Sequence, residues 1–304
     1  MGLTLRNKIS ITQIAYYSPL FFVAVFLFFR HGWGRNAAWF YLCGFSLIRI
    51  ASSSLQLATI DHPLDVDINT AGLILQNVGI SPLILVVMCL LGRVLASLRG
   101  EPSADNGRKK IPLRPVFLRA VQSIILVGLI LAIVAGVKAG DEFEKTLQFI
   151  LPAEGKWGLG FIIAGYVLLL LATGFISYYA SWQCSTGSND HAARIQLLIA
   201  VTLSLPFIAV RVAYGCLATF TTDARFNSLT GDDYYYLGMA VLMEIMVTIV
   251  CVAVGGSLNK EALRNENEVL HRVVGRIRKV GSEKNLIFSQ SAIPSTPTSS
   301  FREI

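Results

Sequence analysis

Residues 157–180 read WGLGFIIAGYVLLLLATGFISYYA, without one charged side chain. A helix over that stretch runs about 36 Å at 1.5 Å per residue. A bilayer's hydrocarbon core is about 30 Å thick and needs about 20 mostly apolar residues to cross. A helix on a water-soluble core would carry a polar stripe at helical period, and this stretch carries none. It therefore reads as a membrane span. No water hydrates open backbone there, so the span must be a helix. Working outward, six further stretches meet the same test. The full set is 9–29, 37–59, 70–97, 115–137, 157–180, 195–219 and 234–258. The expected fold is all-α, a bundle of seven transmembrane helices.

Composition agrees. Hydrophobic residues make up 54% of the 304-residue chain and charged residues 15%, well below the quarter or so usual in soluble domains. The net charge of +7 does not point to a nucleic-acid partner. It sits in loops and tail, where Lys and Arg set orientation. The first, third and fifth loops and the tail carry 16 Lys and Arg; the N-terminal segment and the other loops carry 6. The positive-inside rule then predicts the N-terminus outside and the C-terminus in the cytosol. Arg6 and Lys8, beside the first span, point the other way. No cleavable signal peptide is expected, since only eight residues precede the first span and no small-residue cleavage site follows it cleanly.

The five cysteines avoid the expected outer loops, so no extracellular disulfide is predicted. Cys184 is juxtamembrane, either a free thiol or a palmitoylation site. The third loop, Arg99–Arg114, reads as a flexible basic cytosolic segment. Glu142–Ile150 could form a short helical turn at the outer interface. Three regions follow: a transmembrane domain over 1–258, a basic amphipathic helix over 259–280 and a disordered Ser/Thr/Pro-rich tail over 281–304. The basic helix fits an anionic lipid surface; a solvated charged helix is the alternative.

An internal echo is visible. Arg49, Ala51 and Leu55 align with Arg211, Ala213 and Leu217 at an offset of 162. Nearly the same offset sets Asn77 against Glu244. The pattern suggests a 3+1+3 arrangement of parallel repeats, with chance similarity between apolar helices as the alternative.

Arg49, Arg211 and Glu244 are the ionisable groups deep in spans, at about 12–15 Å from the outer surface. Each costs at least about 2.5–3.5 kcal/mol at mid-bilayer, so each must find partners. The expectation is that Glu244 pairs with Arg211 and leaves Arg49 facing a cavity as the anion-binding member. Gln76, Asn77 and Tyr214 complete the candidate ligand site. Ser52, Ser53, Ser54, Gln56 and Ser81 are further polar neighbours, and Tyr234, Tyr235 and Tyr236 open the seventh helix. Pro82 and Pro206 are expected to kink the third and sixth helices. A purely structural ion pair is the competing reading. Gly160 and Ala164 are expected to let helices pack closely.

Catalysis is not expected. The four histidines lie in loops or tail, and only one acid is available inside the spans, too few for an intramembrane metal hydrolase. No cofactor or metal is implied.

Phe29-Arg30-His31-Gly32, Ser46-Leu47-Ile48-Arg49 and Arg211-Val212-Ala213-Tyr214 make the chain resemble a fungal family of seven-helix membrane proteins of unknown function, over most of 10–260. The last motif, followed by Asp232-Asp233-Tyr234-Tyr235, is also distantly similar to fungal lipid-translocating exporters linked to toxicant resistance. The first resemblance implies architecture and membrane location alone. Residues and resemblance together lead to an integral protein of the plasma membrane or an endomembrane. The leading function is a transporter or translocator of a small anionic or amphipathic, lipid-like compound. A receptor-like sensor and a structural membrane protein are the alternatives.

Overall fold

The computed structural model describes residues 4–31, 37–61, 66–100, 113, 115–146, 152–182, 189–221, 225 and 231–257. All lie in one compact unit, Met1–Ser257. The described residues are helical and contain no strand. Seven helices are long and apolar enough to cross a membrane: Leu5–Phe29, Ala37–Ala58, Asp67–Leu98, Val116–Asp141, Ala153–Ser181, Arg194–Phe220 and Asp233–Gly256. Their outward side chains are apolar; Phe22, Val116, Leu171 and Ile199 are all exposed. Water would not tolerate that much bare apolar surface, whereas lipid tails suit it.

The helices are α1 Leu5–His31, α2 Ala37–Ala58, α3 Val66–Val78, α4 Ile80–Gly100, α5 Pro115–Thr146, α6 Ala153–Trp182, α7 Asn189–Phe220, α8 Asp233–Tyr236 and α9 Leu242–Ser257. A π turn, Leu237–Val241, joins α8 to α9. The segment expected as a separate turn over Glu142–Ile150 instead begins as the end of α5, which runs on to Thr146. The expected helix over 259–280, the tail over 281–304 and most of the third loop lie outside the described residues.

The third span sits at the centre. Its window is 83% buried, against 22–44% for the other six. From Ile80 to Leu91 every residue but Cys89 is buried, and α4 touches α2, α5, α6, α7 and α9. One long helix over 70–97 was expected; the structure interrupts it at Gly79. Pro82 explains why the helix breaks in this neighbourhood. It has no amide hydrogen for the Val78 carbonyl, and its ring crowds that carbonyl.

The α5–α6 pair packs through glycine. A Cβ on Gly128 would lie 2.9 Å from the Gly158 carbonyl oxygen, and a Cβ on Gly165 would lie 2.4 Å from Ile125. The backbones meet because neither residue carries a side chain. Gly160 and Ala164, expected in that role, face outward, and Gly160 has no neighbour within 4 Å of its Cβ position. An apolar helix without a polar stripe offers no phase by which to choose among its glycines.

Candidate functional site

Glu244 lies in the first turn of α9 and is fully buried. One of its oxygens, Oε1, accepts hydrogen bonds from two arginines. Arg211 of α7 donates through Nε at 2.7 Å, and Arg49 of α2 donates through Nη2. Both guanidiniums are buried, at 1% and 2% side-chain exposure. The cluster carries one carboxylate and two guanidiniums, hence one residual positive charge. Arg49 is therefore not the free cation expected from sequence. It shares the acid with Arg211, because α2 and α7 reach the same point on α9.

Local structure places each member. The Arg49 guanidinium lies over the Phe45 ring, 5.6 Å from its centroid. Its other neighbour is Gly79, where a Cβ would come within 2.9 Å of Nη2. The helix interruption thus coincides with a close approach of arginine to backbone that only glycine permits. Arg211 donates through Nη2 to the Gln76 carbonyl at 3.3 Å. That carbonyl lies in the last turn of α3, where helix carbonyls lack intrahelical partners and the dipole is negative. Arg211 also sits 5.7 Å from the centroid of Tyr214.

The π turn orients Glu244. Tyr236 and Glu244 are eight residues apart, which on a regular α-helix leaves them about 80° apart in azimuth. One extra residue taken up by a π turn brings them near one face. Tyr236 lines a cleft with Arg6, Ser10, Gln13, Ser52, Ser53, Gln56 and Gln76. The volume is about 200 Å³ counting its open mouth, and its interior admits about one water. The cleft opens at the start of α1 and the end of α2. Ser53 donates to the Gln13 side-chain oxygen at 2.8 Å, and Ser52 to the Gly72 carbonyl at 3.2 Å. Ser53 stands one helical turn above Arg49, so the cleft floor lies over the charge cluster.

Two atoms of that cluster, Arg49 Nε and Glu244 Oε2, have no hydrogen-bond partner, and neither does the buried Tyr17 hydroxyl. Tyr17 is within electrostatic reach of both Glu244 and Arg49. Such groups are costly when dry, and three of them gather here.

Of the expected site residues, Arg49, Arg211 and Glu244 meet directly. Gln76 joins through its carbonyl and lines the cleft with its side chain. Tyr214 is buried and flanks Arg211. Asn77 does not join; its side chain is exposed, because α3 turns the preceding residue, Gln76, inward. Tyr17, Gln13, Ser10 and Gly79 were missed. Gln13 had a signal, an amide inside an apolar span; Tyr17 and Gly79 had none that separates them from other aromatics and glycines. Among the described residues no three His, Cys, Asp or Glu converge as metal ligands do.

No curated protein and no solved structure matches the chain. One family model does, over residues 3–261, which takes in all seven spans and the whole charge cluster. The chain belongs to the family described as a domain of unknown function (DUF7702).

Proposed function

We propose that this protein is a non-enzymatic transporter or translocator of a small anionic or amphipathic, lipid-like compound. The observation that carries the reading is the residual positive charge of Arg49 and Arg211 on one carboxylate oxygen, beneath a polar cleft. A pair made only to join helices needs one arginine. The second costs at least about 2.5 kcal/mol at that depth, which an anion entering the cleft would offset. Two interruptions of regular helix border the site, at Gly79 and over Leu237–Val241. Broken helices around a mid-membrane site are how many transporters bind and move solute. The cleft admits about one water, so passage of a solute would require it to widen.

Purified protein in sealed liposomes tests the reading. Labelled small organic anions and a fluorescent anionic lipid are the probes. Protein-dependent flux of one of them is expected, with Ser53→Ala lowering it roughly 2–10-fold, the worth of one hydrogen bond. No flux of any probe overturns transport. Saturable binding without flux returns the sensor reading.

A further inference from the structure

Asn77 is exposed on α3 and its side chain makes no hydrogen bond among the described residues. Its depth follows from its neighbours. Ser52 of α2 donates to the Gly72 carbonyl of α3, and consecutive spans run antiparallel. By that bond alone, five residues further along α3 brings Asn77 to the level of Leu47, midway along α2 and 51% exposed. Leu55 against Gly72 and Arg49 against Gly79 set it three to four residues nearer the end of α2, level with Ile50 or Ala51. On the other flank, Thr70 and Ile74 of α3 meet Gly140 and Gly136 of α5. Asn77 follows on the same face, at spacing i, i+4, i+7, at the level of Ile133. Around it α5 exposes Ile130, Ile133, Val134 and Val137, on the least buried span of the bundle.

A carboxamide is thus exposed inside the spanning region, about 12–15 Å from the ends of α3's and α5's spans. Hydrocarbon offers it no partner, and leaving it bare is unfavourable. We propose that the α3–α5 face is the interface of a homodimer, closed by Asn77 hydrogen-bonding to Asn77 of the partner subunit. An amide donates through its nitrogen and accepts through its oxygen. Two amides related by a two-fold axis satisfy each other reciprocally, which is the geometry of a self-complementary interface. The apolar side chains around Asn77 match lipid as well as protein, so the amide sets register and partner. This inference is independent of the transport reading.

The test uses the full chain in liposomes, labelled separately with donor and acceptor dyes. Energy transfer is expected for the wild type. Asn77→Leu is expected to weaken association by at least roughly 3–30-fold, the range for each of the two interhelical hydrogen bonds it removes, and Asn77→Gln to retain it. Asn77→Leu breaks no side-chain hydrogen bond within the described chain, so its thermal unfolding in detergent should stay close to the wild type. In a second measurement, Asn77→Cys should cross-link two chains with copper phenanthroline. Leu171→Cys, on the 65% exposed position of α6, should not exceed the wild-type background. A monomeric wild type overturns the dimer, as does Asn77→Leu associating like the wild type, or equal cross-linking at both positions. Capture of a different protein or of an amphipathic ligand at Asn77, with the chain itself monomeric, overturns it as well.

Discussion

Glu244 is the residue on which the buried electrostatics turn. With both arginines in place the cluster carries one positive charge. Glu244→Gln raises that to two, with no counter-charge, and should destabilise the protein by about 3–5 kcal/mol. Arg49→Met or Arg211→Met leaves one neutral ion pair and should cost distinctly less. The double change Arg211→Met/Glu244→Gln strands Arg49 and should not recover, whereas adding Arg49→Met to it should recover most of the loss. Thermal unfolding in detergent measures all five. A full recovery in the double mutant would mean that Arg49 is not held by Glu244. The three charged residues were legible in the sequence because Arg and Glu are rare in apolar spans. That one oxygen receives both arginines was not legible, since nothing local says which of two distant helices reaches a carboxylate.

At the scale of elements, close packing rests on positions where a side chain cannot fit. Gly128→Val would push a branched side chain into the Gly158 carbonyl, 2.9 Å from the Cβ position. It should cost about 1–3 kcal/mol or more. Gly160→Val meets nothing within 4 Å and should be near neutral, so denaturation midpoints of the two variants should separate clearly. Similar midpoints would show that the α5–α6 contact is looser than a 2.9 Å approach. Gly79 gives the sharper case. Gly79→Ala places a Cβ 2.9 Å from Arg49 Nη2 and should shift both stability and ligand binding, while Gly72→Ala, with its nearest contact at 3.7 Å, should shift neither. Pro82 marked the neighbourhood of the α3–α4 break in advance. Its place at Gly79, and the π turn before Glu244, answer to the tertiary need to seat Arg49 and turn Glu244 inward.

Across the whole molecule, 16 Lys and Arg on one set of loops and tail against 6 on the other predict the N-terminus outside. The polar cleft, at the start of α1 and the end of α2, then opens to the exterior. A reporter on each terminus with protease added to intact cells tests this; an N-terminal tag protected inside the cell reverses the orientation. Seven spans were readable from residues alone, though not their exact limits, because length and apolarity are local properties. The need for buried partners was readable too, because charge is costly in hydrocarbon wherever it sits. The phase of each helix was not. A helix that is apolar all round has no polar stripe to say which side meets lipid, so only packing decided that Gly158 and Gly165 face α5 while Gly160 does not. The same indeterminacy sent Gln76 inward and Asn77 outward, though they are adjacent and chemically alike. One amide faces a cleft beside the buried charges and the other faces the bilayer because α3 rotates about 100° between them, against neighbours that only the assembled bundle supplies.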